Sequence, residues 1–508
     1  MHSSIAHRVE SKIAIAMSGG VDSSVVAYML SQSHRYEELV GIHMSNWDYA
    51  DEIGNIASLR KQKYHESHCW EQDWKDARAV ALQLKIPIHH VSFQAEYWNT
   101  VFQPHCQQVS QFNTPNPDVD CNRYIKFGVL RDYLKKRFFD IEYLATGHYA
   151  RLWDRKSSHL PDYLEQALEH EDSTALADYV IQPSNSEKPM LLAASDRSKD
   201  QSYFLSMVPA DNFSGVLFPL GELNKSPKLK INNSQLDNYL ESTPLSVREI
   251  AKHANLPNAT KKDSVGICFI GKRKYGDFIN EYIDPADNCK GKISFNGRSS
   301  TSSLVQCINV ENNDVVATFD PNVNPSLMYS TIGQGAKIPG ATQKWFVVDK
   351  QISQTNIHRG KERTSPCILV CPGTHHPSLY SDRLYIRCSE LNWIAGGGAT
   401  NRPPPLPFHT KCRIRHLQAL VDCEISFHNS FTSADGCDSF KIRLKTPLRG
   451  IAIGQVCVFY SGGEKGDLIC LGGGPISRRG PNYWETQKDL PKILHSSGHN
   501  DDSIMNTE

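Results

Sequence analysis

The sequence lacks any apolar run approaching the ~18 residues that cross a bilayer as a helix, so no helical membrane span is expected. It also lacks a charge excess: 55 Lys and Arg stand against 55 Asp and Glu. That excludes a polybasic chain that coats nucleic acid and leaves room only for a local basic face. Among its 14 cysteines no CxxC occurs, and the nearest pair, Cys367 and Cys371, has three residues between. Zinc-ribbon and thioredoxin-type signatures are therefore excluded. So many cysteines spread over 508 residues are not a small-domain disulfide framework; most read as small core hydrophobes in a reducing compartment. A secretory signal is not expected, because only about ten polar residues, Glu10 among them, precede the first apolar strand. The protein is expected to work where it is made, unless a presequence is missing from this chain.

What is present is an ordinary globular balance, with 39% hydrophobic residues, 32 Gly and 27 Pro, and length for about three domains. From residue 12 to about 152, strand-like and helix-like segments alternate. Lys12 to Met17 is a short apolar strand, and Val25, Val26, Met29 and Leu30 follow at helical spacing. Leu39–Met44, Ile86–Val91 and Ile141–Ala145 read as further strands; 74–84, 96–109 and 125–138 read as helices. Such alternation implies βαβ units in a doubly wound parallel sheet, with ligands at the carboxyl ends of its strands. Polar stretches at about 153–188 and 225–243 read as insertions. From about 291 onward short β-like runs separated by Gly, Pro and Asn replace this pattern, and Trp345–Val348, Ile368–Val370 and Val456–Tyr460 read as part of one small barrel. The expected organisation is a leader (1–11), a catalytic α/β domain (12–224), a central domain (225–345), a C-terminal β-barrel (346–480) and a polar, disordered tail (481–508).

Ser18-Gly19-Gly20-Val21-Asp22-Ser23 lies where the first strand meets the first helix. The glycines let backbone approach a ligand closely, and the open N–H groups of the helix start favour an anion. The GK[ST] ending of a Walker A loop is missing, so the usual lysine grip on phosphate is not supplied here. This SGGxDS loop resembles that of the pyrophosphatase-loop (PP-loop) ATPases, which activate an oxygen by cleaving ATP to AMP and pyrophosphate.

Two cysteines have marked settings. Cys121 follows Asn116-Pro117-Asp118-Val119-Asp120 and is expected just before a helix N-terminus, with Arg123 and Lys126 favouring its thiolate and Asp118 and Asp120 opposing it. Cys268 follows a basic, glycine-containing loop, Lys261 to Gly266, at the start of an apolar run. Taken singly, each reads as structural. Together with the loop, and with 145-ATGHYAR-151, 199-KDQSYFL-205, 331-TIGQ-334 and 470-CLGGG-474, the chain resembles the tRNA-specific 2-thiouridylases in motif order from about 12 to 478.

That resemblance implies ATP-dependent replacement of the C2 oxygen of the wobble uridine by sulfur. Cys268 would carry the persulfide sulfur, supplied by a donor protein. Cys121 would assist its release, as an acid or by forming a disulfide with Cys268. Residues Ala16, Met17, Ser18, Gly19, Gly20, Val21, Asp22 and Ser23, with Met44 and Gly147, would hold ATP with Mg2+. Asn116, Pro117 and Asp118 would hold the flipped target base of the anticodon loop, while His148, Lys199, Asp200, Gln201, Arg413, Ile414 and Gln455 would contact the tRNA. The implied fold is an adenine nucleotide alpha-hydrolase-like sheet, a small central domain and a β-barrel. The implied location is the mitochondrion in a eukaryote and the cytoplasm in a bacterium. Lys/Arg clusters at 131–137, 261–262 and 272–274 suit an RNA backbone.

The chain departs from the family where Asp120 stands for an apolar residue, where 335-GAK-337 replaces an arginine-rich continuation, and where Ile414 replaces an aromatic. Rival readings are an argininosuccinate synthetase-like enzyme, which would not need either cysteine, and a non-catalytic tRNA-binding protein. A mechanistic variant is an iron–sulfur cluster held by Cys121, Cys268 and Asp118. His65, His68 and Cys69 lack a fourth ligand at zinc spacing and are expected to be structural or near the site.

Overall fold

The structure is a computed structural model that describes residues 9–33, 36–47, 69–153, 189–226, 246–263, 275–283, 304–320, 325–351, 367–395, 404–429, 438–462 and 467–491. Its first strands are β1 (Val9–Ala16), β2 (Tyr36–Ser45), β3 (Ile88–Ser92) and β4 (Ile141–Ala145). The antiparallel pair β5 (Ala150–Trp153) and β6 (Met190–Ala193) follows, and then β7 (Val216–Leu217). Five of these form one sheet in the order β3-β2-β1-β4-β7, with every pairing parallel. Both faces are covered, which is why β1 is apolar at successive positions. Ala14 faces Val40, Ile42, Cys121, Ile125 and Leu130 on one side. Ile13 and Ile15 face Val25, Val26, Ala77 and Val80, from α1 (Val21–Ser33) and α2 (Cys69–Leu84), on the other. Strand order reverses between β1 and β4, so the loops leaving their carboxyl ends, 17–20 and 146–148, flank the crevice where such sheets bind ligands.

The expected helices at 96–109 and 125–138 are longer and less regular. One helical run comprises Gln94–Tyr97, Trp98–Phe102 and Gln103–Ser110; the other comprises Pro117–Asp120, Cys121–Val129 and Leu130–Arg137. The middle piece of each is π-helical, a rare geometry that is frequent at functional sites. Cys121 therefore lies inside a helix rather than before one, and its N-cap is Asn116.

Beyond the insertions, α3 (Val247–His253) packs Val247 and Ala251 into the same core as α1. Phe278, Ile279 and Ile283 enter the core that holds Cys121. A four-stranded sheet follows, from β8 (Val305–Asn309), β9 (Val315–Phe319), β10 (Trp345–Gln351) and β11 (Cys367–Pro372), ordered β10-β11-β8-β9. Trp345–Val348 and Ile368–Val370 thus belong to this sheet and not to the barrel. Their apolar runs indicated buried strands, but such runs do not say which partner a strand chooses.

The third sheet holds β12 (Tyr380–Arg387), β13 (Asn392–Trp393), β14 (Phe408–Arg413), β15 (Val421–His428), β16 (Ser439–Arg449), β17 (Val456–Ser461), β18 (Ile469–Pro475) and β19 (Arg478–Arg479). It also takes in β6 and β5, with Ile469 of β18 opposite Leu192 of β6. The α/β domain and the barrel therefore share a sheet. Residues 481–491, expected to be disordered tail, are ordered in the structure: Asn482 bridges to Ser381, Tyr483 is buried, and Lys488 pairs with Asp382 at 3.1 Å. Among the described residues no helix is long and apolar enough to cross a membrane.

Candidate functional site

The phosphate loop is braced by its own hydroxyls. Gly20 N–H donates to Ser18 Oγ (3.3 Å), Ser18 N–H to Ser23 Oγ (3.2 Å), and the Ser23 and Ser24 hydroxyls both donate to the Gly20 carbonyl (3.1 and 2.9 Å). Gly19 has φ +80°, and a Cβ there would fall 2.1 Å from the Asp73 carbonyl oxygen, so α2 presses directly on the loop. A Cβ on Gly147 would lie 3.0 Å from the Ser23 nitrogen, so the loop after β4 closes over the start of α1. Met44 sits near the end of β2, opposite Val91 of β3. The expected nucleotide residues 16–23, Met44 and Gly147 thus gather at the carboxyl ends of neighbouring strands.

Three residues that sequence reasoning did not place at this loop come from far along the chain. Asn258 donates to the Gly19 carbonyl and to Ser24 Oγ, both at 2.9 Å. Lys261 Nζ donates to the Gly19 carbonyl (3.2 Å), Asp73 (2.7 Å) and Asp76 (2.5 Å). Burial works against its charge, yet the two carboxylates outweigh that and raise its pKa. Lys225, with its side chain only 5% exposed, pairs with Asp22 (2.6 Å) and Asp263 (3.0 Å). Asp263 also receives Lys199 (3.2 Å) and Arg248 (2.5 Å). Burial works against its charge too, but these cations, Lys225 foremost, hold its carboxyl below the usual range. Asp22 further accepts from the Tyr149 hydroxyl (2.9 Å). The loop lacks a lysine of its own, and two reach it through space. Their only signals in sequence are the short segments 222-ELNK-225 and 258-NATKKD-263.

The turn before Cys121 is set by Asn116, whose Oδ1 accepts from the backbone N–H groups of Asp118 (3.1 Å) and Val119 (3.4 Å). Pro117 sits at the first helical turn, where its missing N–H costs nothing. Cys121 is buried among the residues that cover the sheet. Beside it, burial pushes the Asp120 carboxyl up to about 7 against the pull of Arg123. Cys268, expected to meet Cys121 and to complete the cluster variant's ligand set, lies outside the described residues. Both flanks of its segment are nevertheless anchored on the α/β domain. Asp263 is held at Lys225 beside Asp22, and the Tyr275 hydroxyl meets His105 Nε2 at 2.8 Å.

The residues expected to contact RNA divide into two groups. Asn116–Asp118 and Gln455 are brought together: Thr114 N–H donates to the Ile453 carbonyl (2.7 Å), and a Cβ on Gly454 would lie 3.2 Å from Pro115 N. The turn leading into Asn116–Asp118 therefore docks on a loop of the barrel. Asp200, Arg413 and Ile414, by contrast, are buried, so direct RNA contact by their side chains is not what this structure offers. Asp200 accepts from Ala194 N–H (3.1 Å), Ser202 N–H (3.1 Å) and the Ser202 hydroxyl (2.9 Å), and it pairs with Arg413 at 3.8 Å. Arg413 lies over the Tyr460 ring, and the Ile414 carbonyl accepts from the Tyr203 hydroxyl.

Gln201 Oε1 accepts from Tyr149 N–H (2.9 Å), and Lys199 is engaged with Asp263. His148 is held on both sides, Nδ1 by Thr146 Oγ1 (2.7 Å) and Nε2 by Asn122 Oδ1 (3.1 Å). Burial, with Lys126 nearby, keeps it neutral. Of the basic clusters, Arg131 is tied to the Asn212 carbonyl and Lys261 to the phosphate loop, while 272–274 lie outside the described residues. His65 and His68 lie outside them as well, and Cys69 opens α2.

Comparison with known proteins adds the following. Residues 11–272 match a family described as the tRNA methyl transferase HUP domain, and 383–476 match an aminomethyltransferase beta-barrel domain. The chain is 32% identical to mitochondrial tRNA-specific 2-thiouridylase 1 of Mus musculus, over 94% of this chain and 93% of that protein. It is also 32% identical to tRNA-specific 2-thiouridylase MnmA of Shouchella clausii (93% and 98%) and to MnmA of Chlamydia pneumoniae (92% and 98%).

Proposed function

Because this chain belongs to the tRNA-specific 2-thiouridylase family, we propose that it is a tRNA-uridine 2-sulfurtransferase acting on the wobble base. The C2 oxygen of uridine belongs to a delocalised, urea-like carbonyl and leaves poorly. Attack by that oxygen on the α-phosphorus of ATP releases pyrophosphate and converts it into part of an AMP leaving group. The terminal sulfur of a persulfide on Cys268 then attacks C2, and AMP departs with the oxygen. Attack by the Cys121 thiolate on the Cys268 sulfur forms a Cys121–Cys268 disulfide and frees the new C2 sulfur. A dithiol reductant resets the pair, and a persulfide-bearing donor protein recharges Cys268.

The loop at 16–23, with Met44 and Gly147, would hold ATP, and Mg2+ would neutralise its phosphates. Asn116–Asp118 would grip the flipped base, which an anticodon loop releases from its stack at little cost. His148, Lys199, Gln201 and Gln455 would serve the RNA from within or beside the site. Asp200, Arg413 and Ile414 would do so by fixing the barrel. We assign residues 12–263 with 275–283 to the catalytic part, 304–351 with 367–372 to a central sheet, and 380–479 to the barrel. In a eukaryote the protein would act in the mitochondrion, as its vertebrate relatives' names state of them; in a bacterium it would act in the cytoplasm.

One observation carries this reading: the phosphate loop, the Cys121 helix and both anchors of the Cys268 segment converge on one domain. A synthetase or a passive RNA binder leaves that convergence without a purpose. The test is purified protein with ATP, tRNA and a persulfide donor, followed by nucleoside mass spectrometry. Wobble 2-thiouridine is expected, and Cys121→Ser and Cys268→Ser should each abolish it. Absence of the thionucleoside with the native chain, or full activity of both variants, would overturn the assignment. The cluster variant predicts iron and visible absorbance in an air-free preparation.

A further inference from the structure

A chain of side-chain bonds runs from the nucleotide loop to the base-holding turn. The backbone at Gly147 rests on Asp22 and Ser23. Its neighbours Thr146 and His148 are bonded to each other, and His148 reaches Asn122. Asn122, only 3% exposed, donates Nδ2 to the Asp118 carbonyl at 2.9 Å. The proton pattern follows from that last bond. With the amide nitrogen on Asp118, Asn122 must present Oδ1 to the imidazole, so His148 carries its proton on Nε2 and accepts the Thr146 hydroxyl proton on Nδ1. Reversing the amide would set its oxygen against the Asp118 carbonyl. Phe127 and Phe218 pack on the imidazole with ring centroids 5.5 and 5.8 Å away, so the ring works as a fixed spacer.

We propose that Asn122 is a positioning residue that sets the base turn and Cys121 at a fixed distance from the nucleotide loop. The inference rests on the sulfur-transfer reading above and deepens it. Once the C2 oxygen bears AMP, two nucleophiles compete for C2. Attack by sulfur expels AMP and leaves a C–S bond. Attack by water expels the same AMP and restores the carbonyl, with loss of a proton from the water. A misplacement of about 1 Å slows an aligned attack by roughly a hundredfold, whereas water needs no alignment by the protein. Loosening the turn therefore slows adenylation and sulfur attack alike but not attack by water, so more of the adenylate that does form is lost as AMP without a thionucleoside.

The experiment measures AMP released per 2-thiouridine formed, with ATP and tRNA affinities measured alongside. For the native protein a ratio near one is expected. Asn122→Ala should raise it by about tenfold or more, with both affinities within about twofold of native. Thr146→Val cuts the far end of the same chain and should raise the ratio by about threefold; it serves as the readout if Asn122→Ala does not fold. A variant that loses AMP and thionucleoside in equal proportion, or leaves the ratio unchanged, would show Asn122 to be only structural and overturn the proposal. Native protein that releases AMP but never yields 2-thiouridine would instead overturn the functional reading beneath it.

Discussion

Two acid–base pairs in this molecule use the same chemistry for different ends. Asp22–Lys225 sits at the mouth of the phosphate crevice, the lysine 5% exposed and its carboxylate 32% exposed. Asp200–Arg413 sits where the α/β domain meets the barrel, at 1% and 7%. In the first pair each partner keeps an alternative: Lys225 also holds Asp263, and Asp22 also holds Tyr149. Either partner could therefore give up the other without being left alone. The second pair is enclosed: the Ser202 hydroxyl bonds Asp200, and Arg413 lies over the ring of Tyr460, whose own hydroxyl meets that of Ser202. Exchangeable partners suit a binding site, and sealed ones suit a joint.

The largest effect should come from breaking the joint. Asp200→Ala leaves the Arg413 charge buried and the Ala194 and Ser202 backbone N–H groups without their acceptor, so denaturant unfolding should show a loss of about 3–5 kcal/mol. Replacing both partners by apolar residues of similar volume should recover most of that loss. If Asp200→Ala proves neutral, the contrast with Asp22 collapses. Asp22→Ala should do the reverse: about a hundredfold fall in AMP formation, with the unfolding midpoint nearly unchanged because Lys225 retains Asp263 at 3.0 Å.

A third test concerns Asp120, whose carboxyl burial moves from 3.8 to about 7. A raised carboxyl pKa means the folded state holds the proton more tightly, so the stability it contributes is fully present below 3.8 and is lost as pH rises through about 7. Asp120→Asn should flatten that fall, making the variant the more stable protein at pH 8; parallel curves would refute the assignment. The smallest effect should come from the barrel surface. Lys445 pairs with Asp422 at 3.2 Å but is 77% exposed, and Lys411 remains on the same carboxylate. Lys445→Ala should change stability by less than about 0.5 kcal/mol.

These pairs also mark how far the sequence could be read. The phosphate loop was legible because strand, glycines, Asp22 and helix are contiguous, so local rules of backbone and charge apply. Lys225, Asn258 and Lys261 were not, because they arrive through tertiary folding from far along the chain. The parallel sheet followed from alternating periodicity. The division between central sheet and barrel did not, since the runs at 345–348 and 368–370 announce burial without naming a partner. Motif resemblance marked Asp200 and Arg413 separately as RNA contacts, but position in a motif says nothing of solvent exposure, and the structure buries both and pairs them with each other. Cys121 was placed one turn too early, because prolines ahead of it suggested an extended stretch where Asn116 in fact caps a helix.

The strand pair β5–β6 has a consequence for how the molecule is made. During synthesis this hairpin emerges well before β18, the strand that must lie beside it. At ~5–20 residues per second, on the order of tens of seconds pass before that neighbour leaves the ribosome. Through that interval the nascent N-terminal half presents an unpaired strand edge to the cytosol, an invitation to wrong pairing that chaperones would have to cover. Truncations ending ahead of the barrel should inherit the same stickiness permanently.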